Sequence, residues 1–407
     1  MEKAKDASHS FGRVVWPLAI AETIVWAAMY YSFPALLPAW EQDFGWSKTE
    51  LSAAFTLALI FSAVLAPVAG RLIDRGNGRL IFFGGALLGS VMLALLSQVT
   101  EIWQFFCVWL GLGIAMSSTL YEACFAVLTR ALGNQAKRAI TLVTLAGGFA
   151  GTLAFPSADA ITALADWRTT VLVFSAALLL IAAPLIWLGC RAAERYSGEE
   201  PPRASGRAGE AFAILRRPVF WLITFTFTMI GLDHAMIVPH LLPLLEDRGV
   251  TGDAAVLAAS LIGPMQVAGR LALLAGERHL PTLVVALACC FAMSAAAAAA
   301  FGTKFVPGLI VAFVILQGAG IGVTSIIRPV VVAELLGRRD FGVASGMVAV
   351  FYMSSYALGP TIAALIWQFG GYDRVLLFAM TASAAGALTI LAAWKTAKPD
   401  KTPDSGG

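Results

Sequence analysis

Twelve predominantly apolar runs dominate this sequence, each near or above the about 20 residues a helix needs to cross a hydrocarbon core. They fall roughly at 14–38, 50–72, 80–98, 103–130, 138–162 and 169–190 in the first half of the chain. In the second half they fall at 218–244, 254–274, 280–301, 307–334, 342–368 and 374–395. Lipid offers no partner to an open backbone N–H or C=O, so runs of this length are expected to be helical throughout. The composition agrees. Of 407 residues 59% are hydrophobic and only 13% charged, whereas a soluble domain carries roughly a quarter. The expected fold class is therefore an all-α membrane protein, with twelve transmembrane helices and the bilayer as its first partner.

The interruptions organise the chain. One long polar stretch, with Glu199-Glu200-Pro201-Pro202-Arg203 and a Gly/Ser/Arg-rich run, separates the sixth span from the seventh. It divides the chain into a six-helix bundle over 1–190, a linker over 191–217, a second bundle over 218–398 and a tail over 399–407. Of the 28 Lys and Arg, twenty-two flank spans on the side of the chain ends, among them Arg71, Arg130, Arg138, Arg216 and Lys395. Five lie on the other side (Lys48, Arg168, Arg248, Lys304 and Arg374), which leaves Arg328 inside a span. The positive-inside rule then makes both termini and the linker cytoplasmic, in a bacterial-type inner membrane, and requires an even number of spans. The first apolar run begins near Val14 and is long enough to span, so it is expected to be retained as a helix.

No nucleotide loop, metal-ligand cluster or nucleophile–base pattern is visible, so neither enzyme chemistry, a cofactor nor a metal is expected. The five cysteines, with Cys289 and Cys290 adjacent, lie in or beside apolar runs and read as small buried or lipid-facing residues. The net charge of +3 singles out no partner, and no nucleic acid is expected. A monomer is expected.

Between the second and third spans the sequence runs Gly70-Arg71-Leu72-Ile73-Asp74-Arg75-Gly76-Asn77-Gly78-Arg79. Gly70 is expected to let neighbouring helices approach, Asp74 to cap a helix end or pair with Arg, and Arg75 and Arg79 to hold the turn at the interface. A looser copy, Gly269-Arg270-Leu271 continuing to Glu277-Arg278, follows 199 residues later (269 minus 70). The segment resembles the signature loop of the major facilitator superfamily. Two homologous six-helix halves related by an axis along the membrane normal are what that resemblance implies. Both loops read as gates or braces of conformation rather than substrate contacts.

Shorter pieces resemble the monocarboxylate-transporter-like and oxalate/formate-antiporter-like branch. They are Phe44-Gly45-Trp46-Ser47-Lys48-Thr49-Glu50, Lys137-Arg138-Ala139 leading to Ala146-Gly147-Gly148, and Pro239-His240-Leu241-Leu242-Pro243-Leu244. Eukaryotic monocarboxylate carriers place a substrate-linked Asp and Arg in the eighth span. Here that span reads Ser260-Leu261-Ile262-Gly263-Pro264-Met265-Gln266, with no central charge, so a lactate-type mechanism does not transfer.

A charge at mid-bilayer is expensive, which makes each one a functional candidate. The resemblance implies that spans one, four, seven and ten line a central cavity. Glu22, Glu122, the pair Asp233-His234 and Arg328 occupy those four spans. Arg328, before the helix-kinking Pro329, presents a planar fork suited to a carboxylate. It either meets substrate, forms a fixed pair with Glu122, or snorkels to the interface. Glu22, Glu122, Asp233 and His234 are candidates for proton coupling, since an acid alternating between a dry site and a cation can take up and release a proton. Their bland alternatives are a hydrogen bond to a neighbouring helix for Glu22 and a satisfied polar pair for Asp233-His234. His240 is expected at the external mouth, and Asp159 in solvent.

Tyr30, Tyr31, Tyr121, Tyr352 and Tyr356, with Ser117, Ser118, Ser354 and Ser355, complete a candidate lining, or else serve as glue between helices. Gly147, Gly151 and Pro156 point to close packing and a bend in the fifth span.

These features point to secondary active transport of a small organic anion, proton-coupled or by exchange, with Arg328 at its negative end. A proton-driven exporter of hydrophobic or cationic compounds is the alternative, with Glu22, Glu122 and Asp233 as binding groups. A non-transporting membrane receptor or assembly factor is the alternative of another class.

Overall fold

The computed structural model of the chain describes residues 2–196, 214–276, 280–337 and 341–397. Twelve helices in it are long and apolar enough to cross a membrane, and among the described residues there is no strand. They are α1 (Phe11–Phe44), α2 (Lys48–Leu72), α3 (Arg75–Leu96), α4 (Ile102–Leu132), α5 (Arg138–Leu164) and α6 (Trp167–Arg195). The second set is α7 (Pro218–Asp247), α8 (Asp253–Gly276), α9 (Thr282–Gly302), α10 (Leu309–Leu336), α11 (Ala344–Gln368) and α12 (Gly371–Thr396). Most of the linker, the tail over 399–407, Glu277, Arg278 and the Asp74 side chain lie outside the described residues.

Local chemistry sets the helix ends. Gly45 takes a left-handed φ of 68°, stopping α1, and Ser47 then opens α2 through a reciprocal capping box with Glu50. The rings of Phe44 and Trp46 stack across this turn at 4.0 Å. The Phe44–Glu50 stretch is thus a tight helix connection with a structural role of its own. Asp166 opens α6 by accepting the Thr169 N–H at 2.6 Å.

Several spans are not continuous α-helix. A π-turn over Trp26–Tyr30 widens α1, and α4 breaks at Ser118–Leu120, where Leu120 is extended. In α7 a 3₁₀ turn covers Val238–His240, with Pro239 inside it. Such irregular backbone survives at membrane depth only where surrounding protein supports it or a cavity is lined.

The two halves build different cores. In α1–α6, Phe33 stacks on Phe55 at 4.3 Å, with Trp109 edge-on to both and Trp40 beyond. In α7–α12 the core holds fewer aromatic clusters, with Phe220, Phe227 and Phe313 buried, and close glycine crossings bring α8 onto α10. A Cβ on Gly318 would meet Met265 and the Ile262 carbonyl, one on Gly322 the Gln266 backbone, and one on Gly269 the Ala319 backbone. These crossings of α8 and α10 correspond to the crossing of α2 and α4, where Gly113 lies on the Ala58 backbone. Dispersion between close backbones is what holds helices together in lipid, where tail and Leu are equally apolar.

Gly70 departs from its expected role, because a Cβ there would meet nothing within 4 Å. Close approach belongs to its counterpart, Gly269. The connection between α2 and α3 instead turns on Gly76, at a φ of 97°, and is braced from α4 by Arg130, which donates to the Ile73 carbonyl at 3.2 Å.

The halves meet along α2 with α11 and α5 with α8. Gln368 donates to Thr49 at 2.7 Å, Thr361 to Thr56 at 2.8 Å, and Thr152 to the Ser260 carbonyl at 2.6 Å. Lys48 lies over the Trp367 ring at 5.0 Å. A Cβ on Gly263 would run into the Gly148 carbonyl. These contacts lie at mid-helix or toward the face away from the chain ends. Toward the terminal face, the hydrogen bond that crosses between halves among the described residues is Arg270 to the Thr144 carbonyl, at 2.9 Å. The molecule is closed on one face and parted on the other.

Candidate functional site

Glu22 lies one helical turn before Trp26 and two before Tyr30, so all three share one face of α1. The carboxylate of Glu22 is fully buried. Cys124 and the Trp26 indole stand beside it and Glu122 lies within electrostatic reach, yet neither Glu22 oxygen nor the indole nitrogen makes a hydrogen bond. On the neighbouring α4 the thiol of Cys124, a weak donor, is the group set against it. The aromatic wall continues across the bundle. The Trp26 ring is 5.1 Å from Tyr30 and 4.8 Å from Tyr121, which stacks on Phe125. The break at Ser118–Leu120 restarts α4 at Tyr121, so Glu122 is presented at a new helix N-terminus. Ten residues separate it from the end of α4, a depth of about 15 Å, and it has exposed surface all the same. It therefore opens into the parted side of the molecule.

From the second half, Arg328 faces this wall at comparable depth. Its guanidinium lies over the Tyr352 ring at 4.1 Å, and Tyr352 and Tyr356 share a hydroxyl contact of 3.2 Å. Glu122 lies within its electrostatic reach, but no ion pair joins the two, and Nη1 of Arg328 is buried without an acceptor. Tyr30 and Tyr31 approach Tyr352 and Tyr356 from the opposite half, and Tyr31 is also neighboured by Gln266. The structure thus brings Glu22, Glu122, Tyr30, Tyr121, Arg328, Tyr352 and Tyr356 to one cleft.

Asp233 and His234 are elsewhere. Both are buried in the core of the second half, where Ser383 of α12 donates to Asp233 Oδ2 at 2.8 Å and Gln317 of α10 meets His234 Nδ1 at 3.3 Å. The pair is not fully satisfied, since Asp233 Oδ1 and Gln317 Oε1 lack partners. His234 touches the cleft only through Tyr356, ring centroids 5.8 Å apart.

His240 does not line an open mouth. It is fully buried between the halves, with Nε2 2.9 Å from the Pro360 carbonyl and 3.4 Å from Ser52. The serines do not line the cleft with free hydroxyls either. Ser117 and Ser118 donate to carbonyls of Ile114 and Ala115, Ser354 to Val350 and Ser355 to Tyr352, the usual back-bonding of a helical hydroxyl in lipid. Asp159 is exposed near the end of α5.

Of the loop residues, Arg79 pairs with Glu194 at 3.4 Å and lies over Trp187, while Arg75 is exposed. Arg270 ties α8 to Thr144 of the other half and to the Gly322 carbonyl. A shallow apolar hollow of about 440 Å³, lined by Phe83, Pro184, Trp187 and Leu188, opens on the outer face of α3 and α6, where acyl chains belong, and takes no part in the cleft.

The sequence profile of the Major Facilitator Superfamily matches residues 18–303. The chain belongs to that superfamily. Its fold is also that of solved members of similar build. A nucleoside transporter, NupG, superposes with a TM-score of 0.72 at 14% identity, covering 95% of this chain and all of that one. A bacterial homologue of the human lysosomal transporter Spinster gives 0.66, also at 14%, covering 95% of both. The multidrug resistance protein MdtG of Serratia proteamaculans is 29% identical over 206 residues, which is 50% of this chain and 48% of that protein. The chain thus spans about half the length of the MdtG relatives it matches. Agnestins efflux protein AgnL12 of Paecilomyces divaricatus is 25% identical over 380 residues, 89% of this chain and 81% of that one. This facilitator is a multi-pass membrane protein.

Trp26 and Gln317 escaped the sequence reading. For Trp26 the signal was the four-residue spacing from Glu22 to Trp26 to Tyr30. For Gln317 it was a lone amide in the apolar run of α10.

Proposed function

We propose that this facilitator exports lipophilic cations in exchange for protons, with the acid-and-aromatic wall of Glu22, Trp26, Tyr30, Tyr121 and Glu122 as its binding site. The observation that carries the reading is Glu22, a buried carboxylate with no hydrogen bond. Removing an ionised group from water costs several kcal/mol unless a counter-charge or a proton compensates it. A proton does so in one state and a cation in the other, so the two ligands exclude one another at the same group. Rings within 5.1 Å of each other offer π faces to the cation's organic frame. The name of AgnL12, an efflux protein, supports export, and the multidrug resistance name of MdtG is compatible with it. The excess of Lys and Arg beside the chain ends supports a cytoplasmic terminal face, which makes the parted side the loading side.

Titrating unbuffered, detergent-solubilised protein with tetraphenylphosphonium tests this directly. Binding releases protons from the wild type and none from Glu22→Gln. Cation binding without proton release in the wild type would refute the exchange.

Arg328 supports a second reading, transport of a small organic anion, because its buried Nη1 has no acceptor. Under it, carboxylates raise the melting temperature and lipophilic cations do not, and Arg328→Gln abolishes the effect.

A further inference from the structure

The buried cluster in the second half contains a chemical inconsistency that a proton resolves. Ser383 satisfies Asp233 Oδ2 at 2.8 Å, and the Gln317 amide nitrogen satisfies His234 Nδ1 at 3.3 Å. The Gln317 side chain also stands against the Asp233 carboxylate. Two acceptors remain, Asp233 Oδ1 and Gln317 Oε1, both buried and without a donor. Unpaired acceptors cost about 1–3 kcal/mol each, and more for a charged one. A single proton on Asp233 Oδ1, donated to Gln317 Oε1, closes both.

The opposite amide orientation is equally complete. With Gln317 turned over, its nitrogen donates to an ionised Asp233 and its oxygen accepts from a His234 protonated at Nδ1. We infer that Asp233, Gln317 and His234 form a two-state proton switch, in which the turn of one amide links the charge of Asp233 to the tautomer of His234.

The first state holds two exchangeable protons, on Asp233 Oδ1 and His234 Nε2. The second holds one, on His234 Nδ1, and one proton has left for cleft water. His234 is neutral in both. Its ring stands against Tyr356, whose hydroxyl contacts Tyr352, which in turn lies under Arg328. The switch is therefore connected to the binding cleft by a chain of side-chain contacts within the second half.

The side chains set around Asp233 and His234 are uncharged. From α10 Asp233 faces neutral Gln317 and from α12 neutral Ser383, while α11 contributes the phenol of Tyr356 beside His234. Helix α9 carries no charged residue, only the thiols of Cys289 and Cys290. The charged residues of the packed helices, Arg328 and Glu334 on α10 and Asp373, Arg374 and Lys395 on α12, make no ion pair or hydrogen bond with Asp233 among the described residues.

The switch rests on the proton-driven reading of the transporter, but its test needs no substrate, so the two fail separately. Infrared difference spectra across a pH step, on purified protein in lipid nanodiscs, should show a protonated-acid carbonyl band converting to carboxylate. That band is lost in Asp233→Asn and kept in Glu22→Gln. Nitrogen-15 NMR of labelled histidine should show His234 moving from Nε2–H to Nδ1–H across the same step. In Gln317→Leu the acid still titrates but the tautomer no longer follows it. A His234 tautomer constant with pH in the wild type, or a band unchanged in folded Asp233→Asn, overturns the switch. The wild-type tautomer decides the matter alone if Asp233→Asn does not fold.

Discussion

Glu22 stands out at the scale of single residues because nothing structural requires it. Among the described residues its carboxylate has no ion-pair partner, and the groups set against it are a thiol and an indole. Replacing a buried ion pair with apolar residues of similar shape is often neutral or stabilising, and an unpaired buried carboxylate leaves no partner behind when it is replaced. Glu22→Met is therefore expected to melt at or above the wild-type temperature while losing proton release on cation binding. Equal loss of stability and binding would make Glu22 a packing residue. Tyr121 tests the wall from its other side. Tyr121→Phe keeps the stack on Phe125 and is expected to change cation affinity less than twofold, whereas Tyr121→Ala removes a ring worth about 0.5–2 kcal/mol, a 2- to 30-fold loss by isothermal titration. The ionisable members of the site were legible in the sequence, because a charge inside an apolar run has few bland explanations. The serines were ambiguous for a physical reason. Hydroxyls in lipid satisfy themselves on the preceding turn, so their presence in a span says little about a cavity.

At the scale of elements, the twelve helices follow from apolar length alone, but their breaks do not. The π-turn over Trp26–Tyr30 and the interruption at Ser118–Leu120 place Trp26, Tyr30, Tyr121 and Glu122 together, and neither leaves a Pro or a periodicity change to read. Glycines show the same limit. Gly70 and Gly269 occupy matching motif positions, yet only Gly269 lies against another helix. Which glycine is needed is a property of the crossing. Gly113→Val, set against the Ala58 backbone inside one half, is expected to destabilise the protein by about 1–3 kcal/mol, read as a lower melting temperature. Gly263→Val lies on the Gly148 carbonyl between halves. There the strain is relieved by parting the halves, so the melting temperature changes less while transport falls. The reverse ranking of melting temperatures would show that the α5–α8 crossing is as permanent as a bundle core.

The whole molecule is two bundles joined along one face, and under the proposed function its activity depends on undoing that seam. Charge asymmetry in the sequence supports the orientation, but which face is shut is visible only in three dimensions. Besides apolar contacts such as those of Phe155, the seam carries short polar links: Gln368 with Thr49, Thr361 with Thr56, and His240 with Ser52. Hydrogen bonds of this kind contribute about 1 kcal/mol each or less in membranes, which suits a contact that must break in every cycle. Locking it covalently is then the sharpest test of alternating access. The Thr56 and Thr361 hydroxyls are 2.8 Å apart, within reach of a disulfide between Thr56→Cys and Thr361→Cys. The five native cysteines are free, so the pair belongs in a background where they are replaced by Ala. Oxidation should stop transport in proteoliposomes, and reduction should restore it. Cation binding in detergent should persist in the oxidised protein, because the parted face still admits ligand to Glu22 and Glu122. Continued transport with the crosslink complete would mean that this face need not open, and the two bundles would not rock as rigid bodies about the cleft.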